Sequence, residues 1–142
     1  MVVGGMAGLA HGSAYPTFDL DVAYARDRGN LERMVAALRA LGVTLRGAPP
    51  DLPFQLDAQT LASGANFTFD SPHGSFDILG DVAGIDDYDE LRREAVIAVI
   101  EDVEVRIASM DHLVSMKRAA NRPKDQLMVE EYLSLADQQR ED

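Results

Sequence analysis

The chain has 142 residues, of which 46% are hydrophobic and 26% are charged. Because this length and composition are typical of a globular domain that buries its own apolar core, we expect a single domain over residues 1–142. The formal net charge of -11 argues against nonspecific binding to nucleic acid, since that affinity comes mainly from lysine and arginine. The sequence contains no cysteine, which excludes disulfides, thiolate metal sites and cysteine nucleophiles.

Neither the start of the chain nor its apolar segments predict a membrane protein. The stretch "MVVGGMAGLAHGSAYP" lacks the basic start and the apolar length of a signal peptide. No later apolar run approaches the roughly 20 residues that span a bilayer. We therefore expect a cytoplasmic protein without a membrane partner.

The first 45 residues predict two strands and two helices. "MVV" is an apolar stretch broken by Gly4 and Gly5, which predicts a strand, a tight turn and a helix beginning near Met6. "TFDLDVAYA", residues 17–25, alternates apolar and polar positions, which predicts a strand. Asn30 is a suitable cap for a helix over residues 31–41, and Gly42 is a suitable end to that helix.

The rest of the chain predicts strands in the middle and helices at the end. Residues 46–64 carry three prolines and predict an irregular connection with a short helix over residues 58–62. Further predicted elements are a hairpin of residues 66–70 and 75–79, a helix over 88–93, a hairpin of 95–100 and 103–108, a helix from Ser109 to Ala120, and a helix from Pro123. The last helix has an apolar stripe of Met128, Tyr132, Leu135 and Ala136. This order predicts an α+β fold in which a mixed sheet is flanked by helices, with two helices at the C-terminal end.

Asp19 and Asp21 form a D-x-D pair within the predicted strand of residues 17–25. Residues i and i+2 of a strand project from the same face with Cα atoms about 6–7 Å apart, so both carboxylates can converge on one cation. A hard cation such as Mg²⁺, which prefers carboxylate and phosphate oxygens, would relieve their mutual repulsion. The alternative is that this face of the strand is simply solvated.

A third aspartate and the glycine pair extend this pattern. Asp77 lies in "SFDILG", where Phe76 and Ile78 point the other way, as on a second strand. An apolar residue before Gly4-Gly5, the D-x-D pair and a third carboxylate resemble the nucleotidyltransferase superfamily that includes DNA polymerase β. The blocks "HGS", "TFDLDV", "NLERMVAALRALGV", "GSFDILG" and "ASMDHLVSMKRAANRPKD" are similar to the small bacterial branch related to AbiEii-type toxins.

The resemblance implies a reaction in which a nucleoside monophosphate passes from an NTP to an acceptor hydroxyl with the help of two Mg²⁺ ions. It implies that Asp19 and Asp21 bridge both ions, and that Asp77 binds the ion beside the acceptor and accepts the hydroxyl proton. The acceptor could be RNA, a protein or a small molecule. A cognate antitoxin or a second copy of the chain is a possible protein partner.

The resemblance also implies phosphate contacts. Gly4 and Gly5 would let the backbone approach the phosphates closely, and Ser13 could hydrogen-bond a phosphate oxygen. Lys117 lies beside the predicted apolar stripe of its helix, so it should reach into a polar cleft where the triphosphate could bind. The alternative for Lys117 is a side chain that extends from the edge of the core to a carboxylate.

Two departures from that branch favour a second interpretation. Many of its members carry an arginine where this chain has Tyr15, and they usually have a helix before the first strand. The alternative to an enzyme is therefore a noncatalytic module of the same fold that binds a nucleotide or a partner.

Overall fold

A computed structural model describes all 142 residues, and it has an α+β fold with six helices and a mixed seven-stranded sheet. The strands are β1 (Val2–Val3), β2 (Leu20–Ala23), β3 (Thr44–Leu45), β4 (Asn66–Asp70), β5 (Phe76–Leu79), β6 (Val96–Ile100) and β7 (Val103–Ile107). The helices are α1 (Gly4–Ala10), α2 (Arg28–Leu41), α3 (Ala58–Ser63), α4 (Tyr88–Arg93), α5 (Met110–Ala120) and α6 (Pro123–Glu141). The strand order is β3-β4-β5-β2-β1-β7-β6. The predicted α+β class with a mixed sheet is confirmed.

The chain divides into two compact units. The first unit comprises Met1–Asp21 together with Val82–Asp142, and the second comprises Val22–Asp81. The boundary falls within β2, between Asp21 and Val22. That the whole chain is one domain stays a prediction. None of the six helices combines the length and the apolar character needed to cross a bilayer.

The second unit has an aromatic and aliphatic core between α2, α3 and the β4–β5 hairpin. Its buried members are Tyr24, Leu31, Val35, Leu38, Leu61, Phe69 and Ile78. Helix α2 begins one turn earlier than predicted, because Asp27 rather than Asn30 is the N-cap and accepts a hydrogen bond from the Asn30 N–H at 3.0 Å. Gly42 ends the helix in the left-handed conformation, as predicted.

Strands β4 and β5 form the predicted hairpin, with Thr68 opposite Asp77 and Phe67 opposite Ile78. The short edge strand β3 pairs with β4 through Leu45 and Phe69, and its two residues were not predicted as a strand. Two residues are too short a run for an alternating pattern to emerge from the sequence.

In the first unit, β1 pairs in parallel with β7, and β6 pairs antiparallel with β7. Ser109 caps α5 by accepting a hydrogen bond from the His112 N–H at 3.2 Å, and Asn121 ends that helix in the left-handed conformation. Pro123 occupies the first turn of α6, as predicted. The two helices pack on each other, and Met128, Tyr132 and Ala136 of the predicted stripe are buried.

The strand predicted over residues 17–25 is shorter than expected. It begins only at Leu20, so Asp19 lies before the strand, and Phe18, expected on the apolar face, is 94% exposed. Thr17 Oγ1 accepts the Asp19 N–H at 3.3 Å, a local bond that takes the place of strand pairing. The neighbouring strand β1 also has only two residues to offer. The prediction that one strand face carries both aspartates is therefore wrong for Asp19.

Candidate functional site

The glycine pair and the D-x-D segment pack against each other in the first unit. Gly4 follows β1 directly and has φ of +66°, and a Cβ atom at this position would collide with Oδ2 of Asp21. A Cβ atom at Gly5 would lie 2.8 Å from both Cβ and Oγ1 of Thr17. Only glycine satisfies both the backbone conformation and the space at Gly4. The absence of both side chains thus leaves the Asp21 carboxylate directly against the turn.

The two aspartates of the D-x-D pair differ in their surroundings. Asp21 lies on β2 and is half-buried, whereas Asp19 is exposed on the segment that leads into the strand. The backbone N–H of Asp19 donates to Thr17 Oγ1 at 3.3 Å. The pair therefore combines one half-buried carboxylate with one exposed carboxylate.

Asp77 lies in the second unit, in the middle of the β4–β5 hairpin. Its Oδ1 atom is buried and has no hydrogen-bond partner. The nearest cation is Arg46, whose Nη2 lies 3.2 Å from that oxygen without reaching hydrogen-bond geometry. This oxygen therefore takes part in an ion pair but accepts no hydrogen bond, and it retains the capacity to accept one.

Arg46 organises this part of the second unit, and the sequence reasoning missed it. It contacts Asp70 through Nε at 3.3 Å and donates from Nη2 to the Phe69 carbonyl at 3.2 Å. It had been placed at the start of a long irregular segment, where no pattern suggested a partner. The signal that could have found it is its position directly after "VTL", an apolar run next to the predicted hairpin strand.

Lys117 lies in the first unit and pairs with a fully buried carboxylate. Its Nζ is 3.2 Å from Oδ1 of Asp125, and Arg122 donates to Oδ2 of Asp125 from Nε at 2.6 Å and from its backbone N–H at 3.2 Å. These hydrogen bonds, with those from Arg122 first, lower the pKa of Asp125 to about 2, although burial opposes the shift. The structure thus shows the alternative predicted for Lys117, while the cluster still carries two positive charges against one negative charge.

Ser13 is also engaged within the first unit. Its Oγ donates to Oε2 of Glu131 at 2.7 Å, and the Ala14 N–H donates to Oε1 of the same carboxylate at 2.6 Å. A hydroxyl and a backbone N–H are the kind of donors that a phosphate group accepts from, and here the chain's own glutamate takes both. Glu131 was not predicted, because 118 residues separate it from Ser13 and no local pattern links them.

Tyr132, the neighbour of Glu131, places a hydroxyl in the core. Its ring is completely buried, its Oη lacks a hydrogen-bond partner, and the hydroxyl lies so close to Gly8 that a Cβ atom there would collide with it. Burial, together with the negative charges of Glu131 and Asp125, raises the pKa of Tyr132 to about 12. The hydroxyl therefore stays protonated under ordinary conditions.

His11, directly after α1, is held by hydrogen bonds within the protein. Its Nε2 lies 2.8 Å from the Ala108 carbonyl, and its Nδ1 lies 3.1 Å from the Gln139 side chain. Both ring nitrogens are therefore already occupied by hydrogen bonds from or to the protein.

The carboxylates do not form a preformed metal cluster within either unit. In neither unit do three or more His, Cys, Asp or Glu side chains come together as a group that could hold a metal ion. The oxygen donors nevertheless suit Mg²⁺ chemically, and two local features fit an ion: the Oδ1 atom of Asp77, which accepts no hydrogen bond, and the Asp21 carboxylate, which lies directly against the turn at Gly4.

Comparison with known protein sequences adds no relative. No protein-family model matches the chain, and no curated protein sequence matches it significantly.

Proposed function

We propose that the chain is a Mg²⁺-dependent nucleotidyltransferase that moves a nucleoside monophosphate from an NTP to an acceptor hydroxyl, as the toxin component of a toxin–antitoxin pair. The observation that carries the proposal is the contact between the glycine turn and the D-x-D segment. A turn without side chains directly against a carboxylate offers backbone N–H groups and an anionic metal ligand at one place. Both are needed to hold a metal-bound triphosphate.

Asp19, Asp21 and Asp77 would hold the ions in this proposal. When bound, two Mg²⁺ ions stabilise the attacking and leaving oxygens of an in-line displacement. Asp21 provides a half-buried carboxylate on β2, and Asp19 provides an exposed carboxylate directly before that strand. Asp77 accepts the proton of the acceptor hydroxyl, and the ion pair with Arg46 keeps its carboxylate in place.

The phosphate side of the site rests on the first unit. Gly4 and Gly5 have no side chains of their own and lie against the side chains of Asp21 and Thr17, and Ser13 lies on the segment between α1 and β2. Lys117 contributes to a cluster with an excess of one positive charge, after Asp125 has neutralised one of the two cations. A triphosphate is the anion that such a cluster would attract.

The test is transfer of label from α-³²P-NTPs in the presence of Mg²⁺. Each of the four NTPs is incubated with the protein alone, with RNA and with aminoglycosides, which covers the three classes of acceptor. We expect transfer by the wild type and losses of at least about a hundredfold for Asp19→Asn, Asp21→Asn and Asp77→Asn, because each removes a ligand worth several kcal/mol.

Asp70→Asn is the matched control. Asp70 contacts the same arginine as Asp77 and lies on the neighbouring strand, but the proposal gives it no ligand role. Its variant should retain transfer within a fewfold of the wild type. Wild-type protein that labels no acceptor, or an Asp77→Asn variant as active as the wild type, would contradict the proposal.

A second candidate function is a noncatalytic module that binds a nucleotide or a protein partner. The observation that favours it is Glu131, which occupies the Ser13 hydroxyl and the Ala14 N–H. Under this function the wild type binds NTPs in calorimetry without transferring label, and Glu131→Gln strengthens binding by removing a negative charge. Under the enzymatic proposal the same variant changes transfer as well as binding.

A further inference from the structure

Strand β6 of the first unit is the open edge of its sheet, and it is apolar on both faces. It ends the strand order and pairs with β7 on one side only. Four of its five residues are exposed, namely Val96, Ile97, Val99 and Ile100. Because side chains alternate along a strand, these four are distributed over both faces. A surface of this kind is unusual for a monomer in water.

Strand β6 lacks the features that usually prevent an exposed edge strand from pairing with another chain, namely proline, charged side chains and β-bulges. Its five residues include no proline and no charged side chain, and its register with β7 runs without a bulge from Val96 opposite Ile107 to Ile100 opposite Val103. The strand at the other end of the order, β3, is protected against such pairing, because it is only two residues long and is followed by the charged Arg46. Unpaired backbone donors and acceptors along β6 are therefore available to another strand.

The charges at the two ends of β6 differ. Arg92 and Arg93 end the helix that leads into the strand, and with Arg106 and Asp89 they line one depression beside Ile97, while Glu94 follows them before the strand begins. Glu101 and Asp102 form the turn at the other end, where both residues have positive φ, 48° and 67°. The strand therefore runs from an end where arginines outnumber carboxylates to an acidic end.

We propose that β6 pairs antiparallel with β6 of a second copy of this chain, so that the protein forms a homodimer through a continuous sheet. An antiparallel pair centred near Ala98 places Val96 beside Ile100 of the other copy, joins the unpaired backbone groups of both strands and brings their apolar side chains into lateral contact. The same arrangement brings the arginines of each copy to the acidic turn of the other. A twofold axis between the copies produces the strand pairing and the two charge contacts together. Because the β6 edge of each copy is then paired, assembly through this edge stops at a dimer.

A strand from a different protein would also fit an open apolar edge, but the charge pattern favours a copy of this chain. A segment that matches β6 must be apolar over five residues, acidic at the end near Arg92 and basic at the end near Glu101. The chain itself supplies that pattern when it runs in the opposite direction. This inference does not depend on the proposed enzymatic activity.

The first test is the molar mass of the full chain in solution. Light scattering after size exclusion, at protein concentrations up to about 100 µM, saturates an interface with a micromolar Kd. We expect the mass of a dimer for the wild type. Val99→Lys should raise the dimer Kd at least about tenfold, because it puts two lysines into the paired strands.

Leu127→Lys is the matched control in the same unit. Leu127 is 62% exposed on α6, close to the 67% of Val99, and it lies outside β6. Its variant should remain a dimer, and far-ultraviolet circular dichroism shows whether both lysine variants keep the fold. A monomeric wild type, or a folded Val99→Lys variant with unchanged mass, would overturn the proposal.

The second test uses charge reversal. The double variant Arg92→Glu/Arg93→Glu has acidic groups at both ends of β6, and Glu101→Lys/Asp102→Lys has basic groups at both ends. Each should be largely monomeric alone, whereas an equimolar mixture should form a heterodimer in which both contacts are complementary. If the mixture remains monomeric while the wild type is a dimer, β6 self-pairing is not the interface.

Discussion

Asp125 in the first unit and Asp77 in the second unit are both carboxylates beside an arginine, yet they differ in burial and in the hydrogen bonds that they accept. Asp125 is fully buried and receives hydrogen bonds from Lys117 and from three donors of Arg122. Asp77 is partly exposed, and its buried Oδ1 receives no hydrogen bond at all. The comparison indicates that a carboxylate whose oxygens are all bonded stabilises the fold, whereas one with an unused oxygen can bind a ligand.

The largest expected effect follows from removing Asp125. Asp125→Ala leaves Lys117 and Arg122 without their buried partner and α6 without its capping box, so we expect the free energy of unfolding to fall by about 3–5 kcal/mol. Asp77→Ala should change it by no more than about 1 kcal/mol, because only a partly exposed ion pair is lost. Urea unfolding followed by circular dichroism measures both. Equal losses in the two variants would remove the distinction between the two sites.

An intermediate effect is expected at acidic pH. The pKa of Asp125 is about 2 in the folded chain, below its ordinary value of 3.8, so its contribution is fully present above about pH 4 and disappears as the pH falls toward 2. We expect a loss on the order of 1–2 kcal/mol, since one pKa unit corresponds to about 1.4 kcal/mol and solvent screening at the exposed Arg122 side chain reduces the effect.

Urea unfolding at several pH values tests this expectation. Other carboxylates also titrate in this range, so the quantity to compare is the difference in slope between the wild type and Asp125→Asn. The wild type should lose stability more steeply than the variant between pH 4 and 2. Parallel curves would mean that Asp125 is not held in the charged form by its partners.

The smallest expected effect concerns Mg²⁺. An ion that binds the folded chain at a concentration equal to its Kd stabilises it by only about 0.4 kcal/mol, which corresponds to a small rise in the thermal midpoint. We expect this rise for the wild type and for Asp70→Asn, and its absence for Asp77→Asn. Differential scanning fluorimetry with and without MgCl₂ measures it, with CaCl₂ as a second hard cation. A rise of the same size in Asp77→Asn would show that Asp77 is not a ligand.

Much of the fold could be predicted from local patterns in the sequence. Gly42 and Ser109 mark helix boundaries by backbone and capping chemistry that acts over a few residues. Both hairpins were predictable because their strands are short runs of β-branched or aromatic residues separated by a turn. These features depend on neighbours in the chain, so the sequence contains them directly.

The features that were predicted wrongly or missed are those that depend on residues far apart in the chain. The strand at residues 17–25 was predicted too long, because its extent depends on how many residues the neighbouring strand provides. The partners Arg46 and Glu131 were missed because they reach their targets across 31 and 118 residues. For the same reason, Gly4 and Asp21 could be identified as candidates, whereas their packing against one another required coordinates.

In the turn between β6 and β7, the backbone conformation favours residues other than the acidic ones that give the turn its negative charge. Tight two-residue hairpin turns with positive φ favour Asn-Gly, whereas Glu101 and Asp102 hold a conformation that their side chains disfavour. Exchanging them for Asn-Gly would relax the backbone and erase the acidic tip in a single step. Rigidity of the hairpin and recognition by charge are therefore antagonistic at this position, and an engineer could improve one only by sacrificing the other.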